Sequence, residues 1–77
     1  MSREKKIREK IEGAMSDANI AFDDACYLLL RLGFEGRITG SHHVLQRGPL
    51  FANLQNRGGK IPPYQAAQIR DILNKLK

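Results

Sequence analysis

The 77-residue sequence has one cysteine and no long apolar run. The first shortage excludes an intramolecular disulfide, and the second argues against a membrane-spanning segment. Because Cys26 has no second cysteine to pair with, no intramolecular disulfide can form, and a reducing compartment is expected. The N-terminal stretch MSREKKIREKIEGAM alternates charges with isolated apolar residues, unlike a signal peptide or a membrane span. The length suits a single core. We therefore expect a soluble cytoplasmic protein that does not bind membranes.

Acidic residues are absent between residues 36 and 61, although the whole chain contains 8 of them. Since the net charge is +5, this segment is the part of the chain expected to face a polyanion such as RNA. The same absence of carboxylates argues against a zinc site at the two histidines, so no metal is expected. No small-molecule cofactor is expected either. The basic residues of the segment are Arg37, Arg47, Arg57 and Lys60.

Apolar periodicity predicts three helices. The first covers residues 3–15 and ends at SDAN, a run of residues that favour turns. The second carries Asp23 and Asp24 in its first turn and ends before Gly33. The third begins at Pro63, since proline is tolerated in the first helical turn. The side chains predicted to face the core are Ile7, Ile11, Ala14, Met15, Phe22, Ala25, Cys26, Leu28, Leu29, Leu32, Ala66, Ile69, Ile72, Leu73 and Leu76.

Three short runs between the second and third helices, RITG, HHVLQR and LFANLQ, predict an antiparallel sheet with tight turns. Side chains alternate along a strand, so His42 shares one face with Val44 while His43 shares the other with Leu45. If Leu45 points into the core, His42 lies on the open face of the sheet. A register slip of one residue would reverse this assignment.

The order of these elements predicts an α+β fold, in which two helices cover one face of a three-stranded antiparallel sheet and leave the other face open. Residues 1–18 are expected to form an additional N-terminal helical extension, and residues 19–77 the domain itself. An open sheet face of this kind is a common surface for binding RNA.

Four blocks of residues between positions 19 and 76 form a pattern. They are Phe22, Asp23 and Asp24 with Leu32, Gly33 and Phe34; Gly40, Ser41, His42 and His43; Asn53, Leu54 and Gln55 with Gly59 and Lys60; and Pro63, Tyr64 and Gln65. In their order and spacing these blocks resemble the HicA toxins, the small RNA-cleaving partners of HicB antitoxins in bacterial type II toxin–antitoxin systems. Thr39 and Pro62 depart from the pattern, because family members commonly have a basic residue at both positions.

The resemblance implies a fold like the double-stranded RNA-binding domain and the activity of a metal-independent endoribonuclease. Such an mRNA interferase acts as a toxin on mRNA. The resemblance further implies that His42 is the catalytic residue and that a HicB-like antitoxin neutralises the protein by covering His42. It also favours Lys60 as a phosphate contact.

The chemistry of RNA cleavage suits a histidine without a metal, because RNA supplies its own nucleophile, the 2′-hydroxyl group, and His42 can act as the general acid or base. His43 is expected to be structural. Tyr64 either stacks on a base or packs against the sheet. The candidates for RNA contacts are Gly40, Ser41, Arg37, Arg57 and Lys60, although Ser41 is equally suited to cap a turn and the basic residues to remain solvated. The alternative function is a non-catalytic RNA-binding domain, or an inactivated toxin, of the same fold.

Overall fold

A computed structural model describes residues 2–13, 20–39 and 42–76 of the chain. Within these residues the chain forms three helices and three strands in the predicted order, which confirms the α+β class. Among the described residues, none of the helices combines the length and the hydropathy that a membrane span requires. The elements are α1 (Arg3–Gly13), α2 (Phe22–Arg31), β1 (Glu35–Thr39), β2 (His42–Arg47), β3 (Leu50–Gln55) and α3 (Pro63–Lys75).

The sheet is an antiparallel meander in the order β1-β2-β3. Its register places His42 opposite Gln55, and Leu45 between Gly36 and Ala52. Directly opposite residues share a face, so the register divides the side chains into two sets. The set that we call the open face comprises Glu35, Gln46 and Phe51 in one row, Arg37, Val44 and Asn53 in the next, and His42 with Gln55 in the last.

The core lies on the other face of the sheet, where Leu45, Ala52 and Leu54 are buried. The helices α2 and α3 pack against this face. The helix α1 packs against both of them, and its Ile7 and Ile11 belong to the same buried cluster. The extra N-terminal helix therefore contributes two apolar side chains directly to the core.

Polar contacts also hold α1 in place. The Arg3 guanidinium lies 3.0 Å from the Asp24 carboxylate of α2 and stacks 4.2 Å above the Tyr27 ring. From α3, Arg70 Nε donates a hydrogen bond of 3.0 Å to the backbone carbonyl of Ile11. These contacts tie the first helix to both neighbours along its length.

Glycines in the left-handed region end α2 and form the turn before α3. Gly33, with φ 94°, directly follows the last turn of α2, as the sequence predicts. Gly58 and Gly59 have φ 62° and 90° and occupy the centre of a turn in which the Arg57 N–H donates to the Lys60 carbonyl at 2.8 Å. The carbonyl of Gly59 accepts from the N–H of Phe22 at 2.8 Å, so this turn also secures the start of α2.

The predicted apolar stripes are buried with few exceptions. Cys26, Leu32 and Leu76 are only partly buried, while the predicted positions 14 and 15 lie outside the described residues. Leu30, which falls outside the stripe of α2, is 54% exposed. Periodicity did not predict the burial of Ile20, Phe34, Ile61 or the polar Gln65.

Candidate functional site

His42 opens strand β2 and lies half-buried on the open face of the sheet. The sequence assigns His42 to the open face only if Leu45 points into the core. Leu45 is 2% exposed on the opposite face, so this condition is met. The predicted placement of His42 away from the helices is therefore confirmed.

Two amide side chains of β3 hold the His42 ring. Its Nδ1 atom lies 3.1 Å from Oδ1 of Asn53, and its Nε2 atom lies 3.3 Å from Nε2 of Gln55. Oε1 of Gln55 accepts hydrogen bonds from Nη2 of Arg57 at 3.2 Å and from the Tyr64 hydroxyl at 3.3 Å. We call these five side chains the His42 network.

The arginine determines the direction of every bond in the His42 network, because a guanidinium group only donates. Oε1 of Gln55 must therefore face Arg57, which turns the amide N–H of Gln55 towards His42. Nε2 of His42 is then the acceptor. In the neutral ring the proton lies on Nδ1 and is donated to Oδ1 of Asn53.

The first turn of α3 anchors Gln55 from a second direction. Gln65 is 3% exposed, and its Oε1 accepts the backbone N–H of Gln55 at 2.9 Å. Its Nε2 donates to the Tyr64 hydroxyl at 3.5 Å. Because β3 is an edge strand, the side chain of Gln65 takes the place of a neighbouring strand at this N–H group.

Of the predicted RNA contacts, Arg57 is the one that the structure joins to His42, through Gln55. Lys60 is exposed at the other end of the same turn, where its N–H donates to the Arg57 carbonyl at 3.2 Å. Gly40 and Ser41, which the sequence pattern also indicates, lie outside the described residues.

Arg37 lies on the open face, opposite Val44 and one row from His42. Together with Val44 and Gln46 it lines a hollow of 540 Å³ that does not extend to His42. The hollow and His42 thus occupy different parts of the open face.

His43 points towards the helices, as predicted. Its ring centroid lies 4.7 Å from that of Phe22, and its Nδ1 atom is buried without a hydrogen-bond partner among the described residues. This placement separates His43 from the His42 network. Throughout residues 2–13, 20–39 and 42–76, no three His, Cys, Asp or Glu side chains lie close enough together to hold a metal ion.

One large aromatic side chain lies on the open face, and a second lies beside it at the start of α3. Phe51 is 59% exposed in the row that contains Gln46, and Tyr64 is 63% exposed although its hydroxyl joins the His42 network. Sequence reasoning named Tyr64 but overlooked Phe51, Asn53, Gln55 and Gln65 as site residues. Strand alternation from His42 would have placed Phe51, Asn53 and Gln55 on one face, given the pairing of β2 with β3.

No family model, curated protein or solved structure matches this chain. The resemblance to the HicA toxins is thus carried by the four sequence blocks alone.

Proposed function

We propose that the protein is a metal-independent endoribonuclease, an mRNA interferase that acts as the toxin of a type II toxin–antitoxin pair. In this proposal His42 exchanges a proton with the RNA. The observation that carries it is the orientation of His42 on the open face, where Nε2 is the hydrogen-bond acceptor. A fold related to the double-stranded RNA-binding domain, a cytoplasmic location and a HicB-like antitoxin that covers His42 belong to the same proposal.

The proposed reaction uses only groups of the RNA, the protein and water. Nε2 of His42 takes the proton of a 2′-hydroxyl group, whose oxygen attacks the adjacent phosphorus. The bond from phosphorus to the 5′-oxygen breaks, and this oxygen takes a proton from water. The products are a 2′,3′-cyclic phosphate and a 5′-hydroxyl end, and a positioned base contributes about 10²–10⁴-fold to the rate.

A slow enzyme is expected, because the His42 network as described contains no second imidazole and no carboxylate to protonate the leaving oxygen. Its remaining members are amides, a phenol and a guanidinium. A slow rate is compatible with a toxin that acts on mRNA over many minutes.

Binding of RNA is proposed to release His42 for catalysis. In the free protein the amide of Gln55 occupies Nε2, and Arg57 holds that amide in place. A phosphate group competes for Arg57 because a charged acceptor forms a stronger hydrogen bond than an amide oxygen. Once Arg57 turns to the phosphate, the Gln55 amide is free to rotate and the 2′-hydroxyl takes its place at Nε2.

The open face and the turn beside it carry groups for both kinds of RNA contact. Arg57 and Lys60 provide positive charge for phosphate groups, while the exposed rings of Tyr64 and Phe51 provide faces on which unpaired bases stack. Arg37 adds a further cation on the open face.

The second candidate function is an RNA-binding domain without catalysis, which includes an inactivated toxin. The specific observation in its favour is that both ring nitrogens of His42 have hydrogen-bond partners in the free protein. The two departures from the family pattern, Thr39 and Pro62, also remove basic residues near the predicted phosphate site.

Induced expression in bacteria separates these functions. Wild type is expected to arrest growth and degrade cellular mRNA, while His42→Ala does neither. Gln46→Ala is the matched control, because Gln46 lies on the same strand and face but outside the His42 network. If His42→Ala arrests growth as wild type does, the catalytic proposal fails.

A further inference from the structure

We propose that β1 pairs antiparallel with β1 of a second copy of the chain, centred on Gly36, so that the protein forms a symmetric dimer. The two three-stranded sheets would then form one continuous sheet. This inference is independent of the proposed nuclease activity. It rests on a free strand edge, a self-complementary pair of charges and an exposed apolar side chain beside them.

The free edge belongs to β1. Among the described residues β1 pairs only with β2, so the backbone groups along its outer side have no neighbouring strand. The other edge of the sheet is partly occupied, since Gln65 accepts the N–H of Gln55. An unoccupied edge pairs readily with a strand of another chain.

Glu35 and Arg37 carry the charges of this edge. Both are exposed, both lie on the open face, and neither has an ion-pair partner among the described residues. Pairing about Gly36 places Glu35 of each copy opposite Arg37 of the other, so that two attractive pairs form. Pairing about Arg37 would instead oppose two arginines. The charges therefore favour the register centred on Gly36.

An apolar groove lies beside this centre, on the helix side of β1. The groove measures 360 Å³ and is lined by Cys26, Leu30, Gly36, Arg37, His43 and Leu45. Leu30 is 54% exposed, and its Cδ2 atom lies 4.0 Å from the position that a β-carbon on Gly36 would occupy. Because Gly36 lies at the proposed two-fold axis, Leu30 of both copies would approach each other there and cover the groove.

A second copy fits these features because a two-fold interface requires one surface to complement itself. The opposite charges at Glu35 and Arg37 meet that requirement, and the apolar contact is supplied by the same residue from both sides. The dimer assigns Arg37 to the interface. Phosphate contacts at the proposed active site would then depend on Arg57 and Lys60.

Charge exchange tests the register directly, with sedimentation velocity over a range of concentrations as the measurement. Wild type is expected to dimerise, and Glu35→Arg or Arg37→Glu to weaken the dimer about tenfold, because each creates two like-charged pairs. An equimolar mixture of the two variants is expected to recover the wild-type affinity, since both arginines of one chain then face two glutamates of the other. The double variant, which carries both substitutions in one chain, should recover it as well.

The control is Arg47→Glu, which makes the same change in charge on β2, a strand with both edges paired. Leu30→Ser tests the apolar contact and should also weaken the dimer. Wild type that is monomeric at every concentration would overturn the proposal and leave the groove to a different protein. A dimer that Arg37→Glu weakens no more than Arg47→Glu does would overturn it equally.

Discussion

The amide of Gln55 connects a guanidinium group to an imidazole ring. Its Oε1 lies 3.2 Å from Nη2 of Arg57, and its Nε2 lies 3.3 Å from Nε2 of His42. Because arginine donates only, the position of Arg57 fixes which nitrogen of His42 carries the proton in the neutral ring. Arg57 thereby sets the tautomer of His42 although the two side chains are not in contact.

The contacts of the His42 ring predict its tautomer. When the His42 ring is neutral, its proton is expected on Nδ1 and its Nε2 atom is expected to be unprotonated. Gln55→Glu should move the proton to Nε2, because a carboxylate in this position accepts where the amide donated. Nitrogen chemical shifts of the labelled ring report this directly, with His43 as the internal reference. An Nε2–H tautomer in wild type would contradict the assignment.

Arg57 is expected to act on both RNA binding and His42. Arg57→Ala should weaken RNA binding and reduce the slope of log affinity against log salt by about one, as the loss of one phosphate contact does. The same variant should mix the two His42 tautomers, since nothing then fixes the Gln55 amide as strongly. Arg47→Ala is the control, because Arg47 is exposed at the end of β2 on the other face. Equal salt slopes for Arg57→Ala and wild type would count against the phosphate contact.

The helix α1 is expected to be essential for stability. Ile11 is 0% exposed and belongs to the common core, so Ile11→Ala should lower the free energy of unfolding by about 2–4 kcal/mol. Lys10→Ala, at the exposed neighbouring position, should change it by less than about 0.5 kcal/mol. Urea denaturation followed by circular dichroism measures both. A small effect of Ile11→Ala would show that α1 docks only loosely.

The reactivity of Cys26 tests the environment between α2 and β1. Burial raises the pKa of the Cys26 thiol, and the negative charge of Asp23 raises it further. Since the thiolate is the reactive form, alkylation of the folded protein should reach half its maximal rate at a higher pH than alkylation in urea. Asp23→Asn should lower that pH, whereas Asp71→Asn on α3 should leave it unchanged. Identical pH profiles for folded and unfolded protein would contradict the prediction.

Much of the fold could be predicted because its signals are local. The stripe of α2, the glycine after it and the proline that opens α3 each lie within a few residues of the feature that they specify. The assignment of His42 to the open face needed one further fact, the burial of Leu45, and strand alternation supplied the rest.

The His42 network could not be predicted in the same way, because it depends on contacts between distant segments. Asn53 and Gln55 reach His42 only through the register of β2 with β3, and Tyr64 reaches Gln55 only through the position of α3. Gln65 is polar and lies outside the apolar stripe predicted for α3, so periodicity gave no reason to expect its burial. The block of Asn53, Leu54 and Gln55 resembles the HicA family, but the block alone does not indicate that Asn53 and Gln55 contact His42.

Cleavage of RNA by the purified protein in EDTA decides whether His42 is a catalytic base. Wild type is expected to cut a labelled single-stranded RNA and to leave 2′,3′-cyclic phosphate ends. His42→Ala is expected to bind the same RNA with similar affinity and to leave it intact, while Gln46→Ala cuts as wild type does. Equal cleavage by wild type and His42→Ala, or binding by both without any cleavage, would contradict the assignment of His42 as the catalytic base.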